Sequence, residues 1–275
     1  MSRLISTVPD LRRAIAGLKP ARIGMVPTMG ALHAGHVSLV SEARKHADHV
    51  VVSIFVNPTQ FAPHEDFDAY PRTLDADLAK LGDDADIVFA PSAREMYPQG
   101  HATSIAVGGA AAGLESDFRP HFFAGVATVV AKLLIAALPD IAVFGEKDYQ
   151  QLLVVKQLVR DLALPTRILG APTLREPDGL AMSSRNAYLS PDERQIAGRL
   201  NIILKDTIAQ AHRGDLRAAE AGGIEALWKA GFSHVDYVAI RDAETLEHIT
   251  SLERPARILA AAKVGKTRLI DNLAL

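Results

Sequence analysis

Between residues 21 and 170 the chain alternates short runs dense in β-branched and apolar residues with longer runs of helical periodicity. This alternation restricts the fold more than any other feature. ARIGMVP (21–27), HVVVSIFVN (49–57), DIVFAP (86–91), IAVFG (141–145) and TRILG (166–170) read as strands. HVSLVSEARKHA (36–47), TLDADLAKLG (73–82), GVATVVAKLLIAAL (125–138) and DYQQLLVVKQLVRDL (148–162) read as helices. Strands joined through helices imply a parallel sheet covered on both faces, so the fold class is α/β, a Rossmann-like doubly wound parallel sheet. In such sheets ligands bind beyond the carboxyl ends of the strands, near the point where strand order reverses.

After about Leu174 the pattern changes. A polar link, REPDGLAMSSRNAYLSPDER, leads into helices near 191–212 and 215–230 and then into strand-like runs at 234–242, 256–265 and 267–270. This predicts a smaller C-terminal α+β domain, with 1–175 as the ligand-binding domain and 176–275 as a lid. The small-residue run AVGGAAAGLESDF (106–118) predicts a mobile surface loop. At 275 residues and 48% hydrophobic, the chain can bury a sizeable core. A net charge of −2 without a basic stripe argues against a nucleic-acid partner. The chain has no cysteine, which excludes disulfides, thiolate metal ligands and cysteine nucleophiles. The longest apolar stretch, Phe122 to Pro139, is interrupted by Lys132 and reads as a buried helix, not a membrane span. The start, MSRLISTVPDLRR, lacks the apolar core of a signal peptide, so the expected location is cytoplasmic.

Four stretches at strand ends or in the link carry candidate chemistry. In PTMGALHAGH (27–36), TMG turns the chain and His33 and His36 stand at the start of a helix around Gly35. Helix starts present unpaired N–H groups and partial positive charge, and imidazoles there can donate to phosphate oxygens, although H-x-G-H alone reads equally as an ordinary cap region with solvated histidines. A zinc reading is weaker, because HEDFD (64–68) reads as a solvated acidic loop, not as a source of a third ligand. In SIFVNPTQF, Asn57 and Gln60 follow a strand; amides suit a substrate carrying hydroxyls beside a carboxylate, although Asn57-Pro58 alone reads as a turn. In FGEKDYQQL, Lys147 is a mobile charge for phosphate and Asp148 either caps the helix or meets ribose or a metal, while Gln151 alone reads as a surface residue. In AMSSRNAYLS, Ser183, Ser184 and Arg185 match a triphosphate tail, whereas in isolation they read as a serine-rich linker.

In this order, PTMGALHAGH, SIFVNPTQF, FGEKDYQQL, AMSSRNAYLS and the C-terminal RLIDN closely resemble the pantoate–β-alanine ligases of the H-x-G-H nucleotidylyltransferase group. The resemblance implies ATP-dependent condensation of pantoate with β-alanine through pantoyl adenylate, with Mg2+ required and a homodimer as the usual assembly. It implies nucleotide contacts from Met29, Gly30, His33, His36, Gly145, Glu146, Lys147, Asp148, Leu174, Met182, Ser183, Ser184 and Arg185. His36, His33, Lys147 and Arg185 would be the catalytic set, with His36 as the acid. Gln60 and Gln151 would bind pantoate, Gln60 also lying near the β-alanine position, and Asn57 would support them. The first domain is then the nucleotide- and pantoate-binding one.

There are two departures from the family pattern. The usual R-P-x-H-F-x-G-V reads RPHFFAGV here, with Phe122 at the usual histidine position. Around DADLAK, where some members supply magnesium-associated acids, Asp75 and Asp77 are accompanied by Lys80, so no residue is assigned as a metal ligand and the ion is expected on the ATP phosphates and water. Two other functions compete with the ligase: a nucleotidylyltransferase acting on a phosphate acceptor, which would want more basic residues, and an ATP sensor, which would not need the substrate amides.

Overall fold

The computed structural model describes residues 2–62, 65 and 67–275. In chain order it contains β1 (Arg3–Ile5), α1 (Val8–Ala16), β2 (Ile23–Thr28), α2 (Ala34–Arg44), β3 (His49–Ile54), α3 (Leu74–Leu81), β4 (Ile87–Phe89), α4 (Ala93–Met96), α5 (Glu115–Phe118), α6 (Phe122–Ala137), β5 (Ile141–Gly145), α7 (Tyr149–Asp161), β6 (Arg167–Ala171), α8 (Pro191–Ala211), α9 (Leu216–Lys229), β7 (His234–Asp242), β8 (Ala256–Val264) and β9 (Thr267–Ala274). Short 3-10 turns occupy Pro58–Gln60, Gly109–Ala111, Glu146–Asp148 and Ser184–Tyr188. The chain divides into two compact units, Met1–Glu146 with Gln151–Pro172, and Lys147–Gln150 with Thr173–Leu275.

The first unit is a six-stranded parallel sheet ordered β1-β4-β3-β2-β5-β6. Strand order reverses at the β2–β5 pair, the place where an α/β sheet opens a crevice at its carboxyl edge. Val26, Val50, Val52, Val88, Ile141 and Val143 pack with Leu39 and Val40 of α2 into one of its cores. Thirteen of the sixteen residues of α6 are buried, so the apolar stretch is a core helix. No helix among the described residues is long and apolar enough to cross a membrane.

The opposite edge of the sheet is closed by aspartates. Asp48, Asp86 and Asp140 each immediately precede a strand, and each accepts the N–H of a residue at the start of a neighbouring one. Asp48 takes Arg22 N–H at 2.8 Å, Asp86 takes Val50 N–H at 2.7 Å, and Asp140 takes Ile23 N–H at 2.7 Å. These bonds satisfy donors that the parallel ladder leaves open at its ends.

The second unit is an antiparallel sheet β7-β8-β9 covered by α8 and α9. Leu200, Leu204, Leu227, Ile258 and Ala260 lie in its core. Ser190 and Glu193 form a reciprocal capping box at the start of α8, with Pro191 at its first position.

The N-terminal segment, to which the pattern assigned no element, adds two: β1 pairs with β4, and α1 starts on a Thr7 cap. Three expectations need correction. The last strand runs to Ala274, not 270. The 106–118 segment contains a 3-10 turn and α5, and it buries Ala110, Ala111, Leu114 and Glu115. The polar link is a built hairpin: Arg175 bridges Ala181, Glu176 N–H bonds Leu180 O at 2.8 Å, and Met182 N–H bonds Leu174 O at 3.0 Å.

The aspartate edge sets a pH response. Burial pushes the Asp86 carboxyl up, but Val50 N–H, His49 and Arg44 outweigh it and hold the group below the usual range. Burial likewise pushes Asp140 up, and Ile23 N–H and Lys19 hold it below. Groups depressed in the folded state stabilise it above the unfolded value of about 3.9 and lose that contribution as pH falls through the folded value. Denaturant midpoints measured from pH 7 to pH 2 are therefore expected to fall less steeply below about pH 4 in Asp86→Asn/Asp140→Asn than in the wild type.

Candidate active site

The chain leaves β2 at Thr28 and reverses through Gly30 and Ala31, both at positive φ (84° and 50°). A Cβ on Gly30 would stand a tight 3.1 Å from both Asp77 Oδ2 and Ile54 Cγ2, so contact and positive φ together favour glycine there. Asp77, fully buried on α3, holds the turn. Its Oδ2 accepts Ala31 N–H at 3.0 Å, and its Oδ1 accepts Leu32 N–H at 2.8 Å and the Thr73 hydroxyl at 3.3 Å. One turn along α3, Lys80 donates to Leu32 O at 2.6 Å. Asp77, considered above beside magnesium-associated acids, therefore has its oxygens engaged by the fold.

The turn delivers His33 to the cap position of α2, one place outside the helix. His33 Nδ1 accepts Gly35 N–H at 3.1 Å, and His36 Nδ1 accepts His33 N–H at 3.3 Å. The two rings lie 4.1 Å apart, centroid to centroid. The histidines thus form a capping box in which imidazoles take the usual serine and glutamate parts. An Nδ1 that accepts carries no proton, so each neutral ring holds its proton on Nε2.

Beyond β3, Asn57 and Gln60 enclose a 3-10 turn, and both are buried. Asn57 Nδ2 donates to Gln60 Oε1 at 3.0 Å and to Gly125 O at 3.2 Å. Gln60 Nε2 donates to Met29 Sδ at 3.0 Å. The structure therefore joins Met29, Asn57 and Gln60, which the sequence left as separate candidates. The contact requires a glycine on α6: a Cβ at Gly125 would stand 2.4 Å from Thr59 O and 2.8 Å from Gln60 N.

Two supports of this corner come from distant segments, and of them only Arg119 lies in a motif, the RPHFFAGV stretch. Tyr97, after α4, donates its hydroxyl to Asn57 Oδ1 at 2.7 Å. Arg119 makes a two-pronged bond to Glu65, at 2.6 and 2.7 Å, and donates to Gln60 O at 3.2 Å. Its guanidinium lies 3.8 Å from the centre of the Phe122 ring, so the phenylalanine that departs from the family pattern supports the arginine by stacking. Glu65 is thus paired, not solvated; the acidic-loop reading of 64–68 otherwise falls partly on residues outside those described.

At the end of β5, Gly145 and Glu146 sit half-buried in the first unit, and Gln151 is half-buried on α7. Lys147 and Asp148 belong to the second unit, with Lys147 Nζ 3.7 Å from Asp148 Oδ2. There Asn272 Nδ2 donates to Lys147 O at 2.8 Å, and Asp271 receives both arms of Arg175 at 2.7 and 2.9 Å. The C-terminal Asp-Asn pair thereby anchors the lysine turn and the hairpin of Leu174 and Met182. Ser183 caps the next 3-10 turn by accepting Arg185 N–H at 3.3 Å, with Ser184 and Arg185 inside it.

A family model described as pantoate-beta-alanine ligase matches residues 3–274. Pantothenate synthetase 2 of Bradyrhizobium diazoefficiens is 58% identical, the match covering 98% of this chain and 97% of that protein. The crystal structure of pantothenate synthetase from Thermus thermophilus superposes with a TM-score of 0.92 at 47% identity, over 98% of each chain. The pantoate-beta-alanine ligase of Francisella tularensis, solved in complex with beta-gamma ATP and β-alanine, superposes with a TM-score of 0.84 at 36% identity, over 99% of this chain and 97% of that one.

The close approach at Gly125 gives a direct test. Gly125→Ala is expected to push the Pro58–Gln60 turn off α6 and to destabilise the protein by about 1–3 kcal/mol, as overpacking does, measured by urea denaturation.

Proposed function

The chain belongs to the pantoate–β-alanine ligase family, and we propose that it makes pantothenate in two steps driven by ATP. As an enzyme of that family it forms a carbon–nitrogen amide bond. In the first step a carboxylate oxygen of pantoate attacks the α-phosphorus of ATP and pyrophosphate leaves. In the second, the β-alanine amine attacks the acyl carbon of the resulting adenylate, AMP leaves and the nitrogen sheds a proton. Adenylation is needed because a carboxylate offers no adequate leaving group. Developing charge is spread over phosphate oxygens, so positioning and fixed donors supply most of the catalysis.

The observation that carries this reading is the paired Nδ1 acceptance of His33 and His36, which puts their protons on Nε2 at the start of α2. Neutral N–H donors joined to a helix start suit phosphate oxygens. His36, which the resemblance makes the acid, is assigned here with His33 as an N–H donor to phosphate oxygens, with Met29 and Gly30 bordering the nucleotide. Gly145, Glu146, Lys147, Asp148 and Leu174 are assigned to ATP, and Met182, Ser183, Ser184 and Arg185 to its β- and γ-phosphates. Gln60, Asn57 and Gln151 are assigned to pantoate. The complex of the Francisella relative supports ATP as co-substrate. Among the described residues no three His, Asp or Glu side chains converge as a metal site, and the Asp77 oxygens are engaged by backbone, so magnesium is assigned to the phosphates of ATP and to water. A homodimer and a cytoplasmic location complete the proposal, on the resemblance to the family.

Isotope exchange between pyrophosphate and ATP tests the reading. Exchange that requires pantoate and proceeds without β-alanine is the expected result. ATP binding without exchange would point to a sensor, and exchange with a phosphorylated acceptor instead of pantoate to a nucleotidylyltransferase. His36→Ala is expected to lower kcat/KM for the exchange by roughly 10²- to 10³-fold, the scale of deleting one donor to developing charge; a variant within threefold of wild type would remove His36 from its role.

A further inference from the structure

The amides of Asn57 and Gln60 are symmetrical in shape but not in function, because each end either donates or accepts. Which end faces a ligand depends on what fixes the chain of hydrogen bonds behind it. Asn57 is almost fully buried, and its Oδ1 accepts the Tyr97 hydroxyl at 2.7 Å, the Thr59 hydroxyl at 3.0 Å and the Thr59 N–H at 3.4 Å. Its Nδ2 donates to Gln60 Oε1 and to Gly125 O. The Thr59 N–H can only donate and the Gly125 carbonyl can only accept, so the backbone selects which way the amide faces, and the Tyr97 hydroxyl makes the shortest bond that holds it there. Gln60, its oxygen now accepting from Asn57, turns Nε2 toward Met29. Thioether sulfur is a weak acceptor, so an incoming carboxylate or hydroxyl oxygen can take that N–H in its place.

We propose that Tyr97 is a positioning residue that holds Asn57 in the orientation its backbone partners select, so that Gln60 presents a donor to the hydroxy acid. The inference rests on the ligase reading and adds to it a residue that holds the donor toward the substrate. Reversing this chain of hydrogen bonds would turn the Gln60 carbonyl toward a bound carboxylate, placing acceptor against acceptor. Tyr97 is built for the task. Its ring stands edge-on to His101 at 5.0 Å, lies 6.2 Å from Phe55, and carries the Lys132 ammonium 5.7 Å from its centre. Burial pushes its hydroxyl pKa up, which keeps the phenol protonated and donating.

Tyr97→Phe removes the hydroxyl and keeps the ring. In steady-state assays of the full chain, the KM for pantoate is expected to rise about tenfold, the fold-change of one lost hydrogen bond, while the KM for ATP stays within twofold. Thr59→Val, which removes the second hydroxyl, is expected to shift the pantoate KM in the same direction, and the double variant further than either. A merely structural role would move both KM values and the thermal midpoint together. An unchanged pantoate KM in an active Tyr97→Phe enzyme, or equal rises for pantoate and ATP, overturns the inference and leaves the ligase reading intact. A wild-type chain without pantoate-dependent exchange overturns both.

Discussion

One buried carboxylate underlies the histidine pair. The turn out of β2 places Ala31 in the left-handed region, a conformation that costs a non-glycine residue roughly 1–2 kcal/mol. It also leaves two N–H groups, of Ala31 and Leu32, facing the interior. Asp77 accepts both, and bonds to a charged acceptor contribute about 1.5–3 kcal/mol each, enough to offset the strain. Lys80 closes the same turn through the Leu32 carbonyl. The orientation of His33 is therefore inherited from α3, a helix to which no ligand contact is assigned. His33 must leave the turn in extended backbone to cap α2, and only from there can its N–H reach His36.

The alternation of strands and helices was legible because the sheet strands are buried and rich in valine and isoleucine, and because the helices carry their own stop and start residues. The three-residue β1 was not, since so short a run has no period to detect. The helix after it did carry signals, a Thr7 cap, Pro9 and Asp10 in its first turn, and reading those local signals would have found it. The 106–118 run misleads for a different reason: its alanines and glycines look like a flexible surface, yet small residues also pack closely, and Ala110 and Ala111 are buried.

The candidate site divides the same way. Histidines after β2 and amides after β3 stand out because strand ends in a parallel sheet are where ligands go. Their supports do not stand out as supports, and even Arg119, which lies in the RPHFFAGV motif, carries nothing that names its partner. Asp77 is 46 residues from Ala31, Tyr97 is 40 from Asn57, and Arg119 is 59 from Gln60. Those distances carry no period, and an aspartate or tyrosine on a polar segment looks the same whether it faces water or a buried N–H. Lys80 argued against a metal site near Asp77, and its actual partner, a backbone carbonyl 48 residues away, is equally invisible in the sequence.

The histidine pair and the amide pair share one physical device. In each, the fold engages the accepting atom: Nδ1 of both imidazoles by backbone N–H, and the oxygens of Asn57 and Gln60 by hydroxyl and amide donors. What remains directed by chemistry is a set of neutral N–H donors whose orientation is fixed before any ligand arrives. Carboxylates and phosphates are acceptors, so such a set complements them without burying cations, which would carry a desolvation cost. Donors fixed in advance also need little reorganisation as charge develops, and this is where electrostatic catalysis gains most. A net charge of −2 is compatible with such a set, because complementing an anion in this way depends on donor direction more than on total charge.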